Sequence, residues 1–274
     1  MTMGQESLEQ WTEDDGSDAD SGDTVAPERC LSVTVRGPWG HFRRIEGNVV
    51  KQTYRIIPRT TVAGLLAAVL GIERDGYYDL FAPGESAVAI EPVSEIRTIN
   101  MPMNTLSTAD GNLQSLNGRG KLSVKLPDPT TLRQQHNYEV LVDPAYRIDI
   151  WLADEERYRE LRETLEAGKS HYVPSLGLSE HLAEIEYHGE FEVEPGPSGD
   201  SVEVDSAVPD AVEDVVLEPG TRCQVEESPA FMTADAVGRT TAGFTAYTYN
   251  PDADSLKVRN ADPSRVGERA VVFV

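Results

Sequence analysis

Lysine is scarce in this chain: five lysines stand against nineteen arginines and 47 acids, and the formal net charge is −23. Many acids with few lysines is the composition of a protein adapted to high salt. At 1 M salt the Debye length is roughly 3 Å, so long-range attraction to an anion is nearly absent. Binding would then rest on arginine forks, aromatic stacking and backbone N–H groups. Cysteine is rarer still. Cys30 and Cys223 exclude a disulfide framework, and no Cys/His group has zinc-site spacing. Neither a metal nor a cofactor is expected. The longest mostly apolar run, residues 62–72, is about half the ~20 residues a bilayer span needs. No basic patch followed by an apolar stretch opens the chain, so no signal peptide is read and a cytoplasmic location is expected. P-loop, GxGxxG, GxSxG and HExxH signatures are all missing.

What the chain does have is a local reversal of charge. Between residues 29 and 59 lie seven basic residues (Arg29, Arg36, Arg43, Arg44, Lys51, Arg55, Arg59) and one acid, Glu46. The sequence around them is a loop carrying Trp39, His41 and Phe42 between glycines and arginines. Flat faces for bases and forks for phosphates are what single-stranded RNA binding needs. The competing reading is that Trp39 and Phe42 plug the core while the arginines are solvated.

Taken in order, residues 1–28 hold nine acids and no base and read as a disordered acidic tail. Residues 30–36 alternate as a half-buried strand does. Residues 60–70 form the clearest helix, with Val62, Leu65, Leu66, Val69 and Leu70 on one face. Thr60 or Thr61 can cap it, Gly71 ends it, and Gly64 suggests close approach of another backbone. Arg59 and the threonine hydroxyls make its N-terminus a ready anion site.

Residues 87–103 have strand character broken by Pro92 and Pro102. Residues 104–120 read as a long excursion, and Arg119, Lys121, Lys125 and Arg133 make a second basic group. Residues 138–152 give two strands bent at Asp143-Pro144. Residues 153–167 form an amphipathic helix capped by Asp154 and ended by Gly168. Residues 172–178 are a turn and 182–193 mostly strand. From 180 to 235 there are sixteen acids and one base, Arg222. Residues 195–220 read as a long acidic loop. Residues 243–250 and 270–274 are strands, the last apolar enough to be central in a sheet. This order suits an α+β domain with one antiparallel sheet and helices on one face.

His41, Lys51 and Tyr54 stand close together. Base, acid and phosphate stabiliser of a metal-independent ribonuclease can be built from these residue types, and the same types bind RNA without cutting it. Residues for phosphates are Arg43, Arg44, Arg55, Arg59 and Thr60. Lys51 and Gln52 lie near them, and Trp39, Phe42 and Tyr54 are candidates for stacking. A third reading has the basic loop docking on an acidic protein partner.

Four segments carry a family resemblance: GPWGHFR at 37–43, TYRIIPRTTVAGLLAAVLGI at 53–72, EVLVDPAYRIDIWL at 139–152 and YVPSLGLSEHLAEIEYHGE at 172–190. Together they resemble the CRISPR-associated Cas-five family of the RAMP superfamily, in its type I-B, haloarchaeal form, over residues 30–189. The resemblance implies a ferredoxin-like, RRM-related domain over 29–194, with helices on one face and a projecting β-hairpin thumb at about 97–138. It implies further that a smaller β-rich part, 221–274, completes the fold. The thumb would carry Arg97, Arg119, Lys121, Lys125 and Arg133. The implied role is a non-catalytic subunit of the Cascade surveillance complex in antiviral defence. It would hold the 5′ handle of CRISPR RNA and cap the backbone. Its expected partners are CRISPR RNA, the Cas-seven backbone subunit and the Cas-eight large subunit, with target DNA engaged indirectly. One subtype of the family cuts precursor RNA, which keeps the ribonuclease alternative open.

Overall fold

Strand β1 (Arg29–Arg36) is the axis of the molecule. In the computed structural model, which describes residues 27–44, 50–106, 133–234 and 238–274, it is flanked on both sides by antiparallel strands. The elements that follow it are β2 (Trp39–Gly40), β3 (Phe42–Arg43), β4 (Val50–Lys51), β5 (Thr53–Tyr54), α1 (Arg59–Leu70), β6 (Ser86–Pro92), β7 (Arg97–Leu106), β8 (Arg133–Val142), β9 (Ala145–Leu152), α2 (Glu155–Glu166) and β10 (Glu184–Pro195). Further strands complete the described chain: β11 (Val202–Val204), β12 (Val208–Pro209), β13 (Gln224–Ala234), β14 (Arg239–Tyr249), β15 (Leu256–Val258), β16 (Ser264–Val266) and β17 (Arg269–Val271). The expected acidic tail lies outside the described residues except for Pro27 and Glu28. Residues 107–132, the distal part of the expected thumb, also lie outside them. Among the described residues no helix is long and apolar enough to cross a membrane.

The principal sheet has the order β17-β16-β10-β1-β9-β6. It curls until its ends meet, for Val88 N–H donates to Val274 O and Val274 N–H to Val88 O, both at 3.0 Å. Both helices lie on one face. Leu31, Val33 and Val35 of β1 pack there with Leu66 of α1 and Leu161 of α2. Each such buried side chain contributes about 1.5–3 kcal/mol. The expectation of a half-buried strand is corrected: β1 is covered on both faces. Its other face carries Cys30 against Val266, Val271 and Phe273, beside a polar cluster. In that cluster Arg269 holds Asp149 through two bonds of 2.7 and 2.8 Å and reaches Glu91 at 2.8 Å. Ser32, itself bonded to Asp149, accepts from Arg147 at 2.9 Å. Alternation was a poor guide because these polar residues face inward and satisfy one another. A bulge opposite Ser32 and Val33 sets His188 at 2.8 Å from the Thr34 hydroxyl.

Several local expectations hold. Asp154 caps α2, its carboxylate accepting from the N–H groups of Glu156 and Arg157 at 3.0 Å. Gly71 ends α1 with φ +74, where a side chain would be strained. The bend between β8 and β9 falls at Asp143, with φ +48.

Others are corrected. The N-cap of α1 is Pro58 with no side-chain bond, so neither Thr60 nor Thr61 caps it. At Gly64 the close neighbour is the Tyr77 hydroxyl, 3.1 Å from where a Cβ would stand, and not a backbone. The 195–220 stretch is not simply a loop: it carries β11 and β12 and buries Val202, Val204 and Val208 in a core of its own. The C-terminal strand sits at the sheet's edge, not its centre, and comprises only Arg269–Val271.

Candidate nucleic-acid interface

The basic loop is built as edge pieces around β8. Trp39 and Gly40 pair antiparallel with Val142 and Leu141. Val50 and Lys51 pair in parallel with Asn137 and Tyr138. On the opposite edge of β8 runs β7, in continuous register from Arg97↔Val142 to Leu106↔Arg133. The loop and the base of the expected thumb, far apart in sequence, are therefore one sheet. The pairs Met101↔Tyr138 and Met103↔His136 place four half-buried side chains on one face of it. His41 stands edge-on to Tyr138, ring centroids 5.1 Å apart.

A second segment backs the loop. Gly177, with φ +91, lies so close that a Cβ there would meet the His41 carbonyl oxygen at 1.9 Å, and a Cβ on Gly37 would meet Leu182 O at 2.6 Å. His41 N–H donates to Leu176 O at 3.0 Å. Two glycines thus let the segments GPWGHF and SLGLSEHL touch backbone to backbone.

The expected site residues divide by burial. Phe42 and Tyr54 are core residues, and Trp39 is half-buried. His41 is 1% exposed. Its Nδ1 lies 2.8 Å from Glu139 O, and a carbonyl only accepts, so Nδ1 carries the proton. Nε2 is buried and has no partner among the described residues. Burial pushes the imidazole below its ordinary 6.5, as it does for His181. Stability from these two is complete above about pH 6.5 and is lost as pH falls through their lower folded values. Titration of the ring protons by NMR should give midpoints below 6.5 for both; a midpoint at or above that value would refute the assignment.

Carboxylates that the linear charge count placed elsewhere reach into the loop. Glu226 of β13, 6% exposed, accepts from the N–H groups of Arg55 at 2.6 Å and Ile56 at 3.0 Å. It also pairs with Arg44 at 3.5 Å and Arg55 at 3.9 Å. Burial pushes its carboxyl above the usual range, and those N–H bonds and arginines oppose the shift. Glu139 pairs with Arg55 at 2.8 Å and accepts from Thr53 N–H at 3.2 Å. Arg44 lies over the Tyr54 ring, 5.3 Å from its centre. Arg36 pairs with Glu184 and Glu186, and Arg29 with Glu155 and Glu190.

Arg59, expected on a phosphate, is 2% exposed, and its terminal nitrogens donate to Phe81 O and to Ser86. Thr60 is half-buried beside it. Of the seven basic residues, Arg43, Lys51 and the buried Arg59 pair with no described carboxylate; Arg43 is exposed and Lys51 half-buried, and Gln52 beside them is exposed. In the hairpin, Arg97 is exposed and pairs with Asp143 at 3.5 Å. Arg133 ends the ladder at its backbone; Arg119, Lys121 and Lys125 lie outside the described residues. Glu139, Glu226, Tyr138 and His136 are the site residues that sequence reasoning missed. A lone basic stretch in a strongly acidic protein could have prompted a search for buried counter-charges. No group of three or more His, Cys, Asp and Glu able to hold a metal occurs among the described residues.

The family model described as CRISPR-associated protein, Cas5, matches residues 30–247. The chain belongs to the Cas-five family. That match spans the principal sheet except β16 and β17, the loop, the hairpin base and most of β13 and β14. The fold is also similar to solved chains at low identity. One is a chain titled as a CRISPR RNA-guided surveillance complex (13% identity, 84% of this chain and 91% of that one, TM-score 0.46). Another is a CRISPR protein from Archaeoglobus fulgidus (15%, 89% and 97%, 0.45). A third belongs to a Type III-B Cmr-beta complex bound to cognate target RNA (9%, 82% and 86%, 0.42). No curated protein matches the chain.

Proposed function

We propose that this Cas-five protein is a non-catalytic, RNA-binding subunit of a type I-B CRISPR surveillance complex. It holds the 5′ handle of CRISPR RNA and caps the Cas-seven backbone next to the Cas-eight subunit. Guide pairing supplies target specificity, while this chain reads RNA shape and phosphate. The observation that carries the reading is the joining of the basic loop and the hairpin base into one sheet. Lys51 lies on β4, paired with β8 at Tyr138, while Arg43 lies on the β3–β5 pair and Gln52 links β4 to β5. Phosphates fall to Arg43 and Lys51. A base stacks on the half-buried ring of Tyr138, a role the loop aromatics Phe42 and Tyr54 fill less well from the core.

The order β10-β1-β9-β6, with α1 and α2 as the connections β1 to β6 and β9 to β10, supports the ferredoxin-like description of this half. The salt-adapted setting rests on the composition. There, short-range contacts carry the binding.

The test is purification of tagged protein at molar potassium chloride, with sequencing of any bound RNA. Wild type should retain short RNAs sharing one 5′ end, and Arg43→Ala with Lys51→Ala should lose most of them. Retention unchanged in that double variant sinks the loop assignment. Discrete cleavage of repeat RNA in EDTA would replace this reading with the ribonuclease one. A complex that survives ribonuclease treatment would replace it with the protein-docking one.

A further inference from the structure

Arg59 is a buried cation without a carboxylate partner among the described residues. Its Nη1 donates to Phe81 O at 2.8 Å. Its Nη2 donates to the Ser86 carbonyl and hydroxyl at 3.1 and 2.8 Å, and the Phe231 ring lies 4.3 Å from its guanidinium carbon. All of these partners are neutral. The Nε atom is buried and donates to nothing among the described residues. A guanidinium stays charged in proteins, and buried charges are ordinarily paired. Here the surroundings add to the imbalance. Arg59 occupies the first turn of α1, where aligned peptide dipoles present their positive end, and that turn holds no acid. Asp75, beyond Tyr78, is already engaged by the Tyr78 hydroxyl at 2.7 Å and by Arg239 at 3.5 Å.

A cavity of about 20 Å³ adjoins Arg59, lined also by Thr60, Tyr77 and Phe231. That is space for one water-sized body, too little for a phosphate group. We propose that this cavity binds a single monatomic anion, chloride under ordinary solution conditions, against Arg59 Nε and the Thr60 and Tyr77 hydroxyls. The ion completes the charge of the core where α1, β6 and β13 meet. It makes the protein's stability depend on the identity of the anion and not only on ionic strength. This site stands independently of the RNA reading.

The full chain is unfolded thermally in potassium chloride, bromide or gluconate at one ionic strength, with chloride NMR linewidths recorded alongside. The expected result is a higher midpoint in both halides than in gluconate. Excess chloride linewidth should appear only when the protein is folded, and bromide should displace it. Arg59→Met should lose both effects. If that variant does not fold, Tyr77→Phe and Thr60→Val should each reduce the halide-specific midpoint shift. Midpoints that follow ionic strength whatever the anion, without excess linewidth, would overturn the proposal and leave the neutral acceptors as Arg59's whole environment. In bromide-soaked crystals the anomalous peak should stand beside Arg59 Nε; its absence there would overturn the placement.

Discussion

Glu226→Ala is expected to destabilise the protein by about 3–5 kcal/mol, the range for removing one partner of a buried ion pair. The carboxylate does more than balance charge. Its Oε2 is the acceptor for two successive backbone N–H groups, Arg55 and Ile56, and its Oε1 faces the guanidinium groups of Arg44 and Arg55. Alanine would leave those donors without an acceptor inside the protein. It would also set two arginines against each other beneath Tyr54. Glu226→Gln keeps one oxygen acceptor for the backbone and should lose less. Glu227→Ala, at the exposed neighbouring position, should fall within about 0.5 kcal/mol of wild type, as ordinary surface changes do. Denaturant unfolding of the three variants checks the order. A Glu226→Ala loss no larger than that of Glu227→Ala would mean the carboxylate does not organise the loop.

Arg269→Met should cost a similar amount, about 3–5 kcal/mol, on the opposite face of the sheet. Arg269 lies in β17 and bonds Asp149 of β9, Glu91 of β6 and the Ser32 hydroxyl of β1. One side chain thereby ties the C-terminal edge strand to three others. Asp149 is 1% exposed and would lose both guanidinium bonds, keeping the Ser32 hydroxyl and, through it, Arg147 nearby. The double variant Asp149→Asn with Arg269→Met removes that orphaned charge. It should be less destabilised than the sum of the two single variants, a coupling that a double-mutant cycle measures. Strict additivity would show that the pair is not an energetic unit.

These two carboxylate–arginine clusters mark the limit of what could be read along the chain. The basic excess of residues 29–59 is real as a count, and it predicts a surface of strong positive charge. In three dimensions most of it is met by acids from residues 139 to 226. The count of sixteen acids over 180–235 does not tell them apart, yet Glu226 alternates inward on β13 while Glu227 faces out. A strand's period of two separates adjacent acids into core and surface, and composition does not record that. Arg59 was misplaced for a related reason. The start of a helix is ordinarily an exposed anion site, but α1 begins beneath β13, and Phe231 covers it.

Features governed by neighbours a few residues apart were legible. Asp154 capping α2, Gly71 ending α1, the bend at Asp143 and the four segments that carry the Cas-five resemblance all follow from local chemistry, since caps, turns and apolar spacing act within one or two turns of chain. The sequence by itself therefore determined the α+β class, both helices, the family and the presence of a basic loop beside a hairpin. Only the tertiary structure decided which arginines are paired, that Arg43 and Lys51 have no described acidic partner, that the loop and hairpin share one sheet, and that the last strand closes the curl from its edge. Those outcomes depend on charges and carbonyls that meet across more than eighty residues, and long-range pairing is fixed by packing, not by any pattern within one segment.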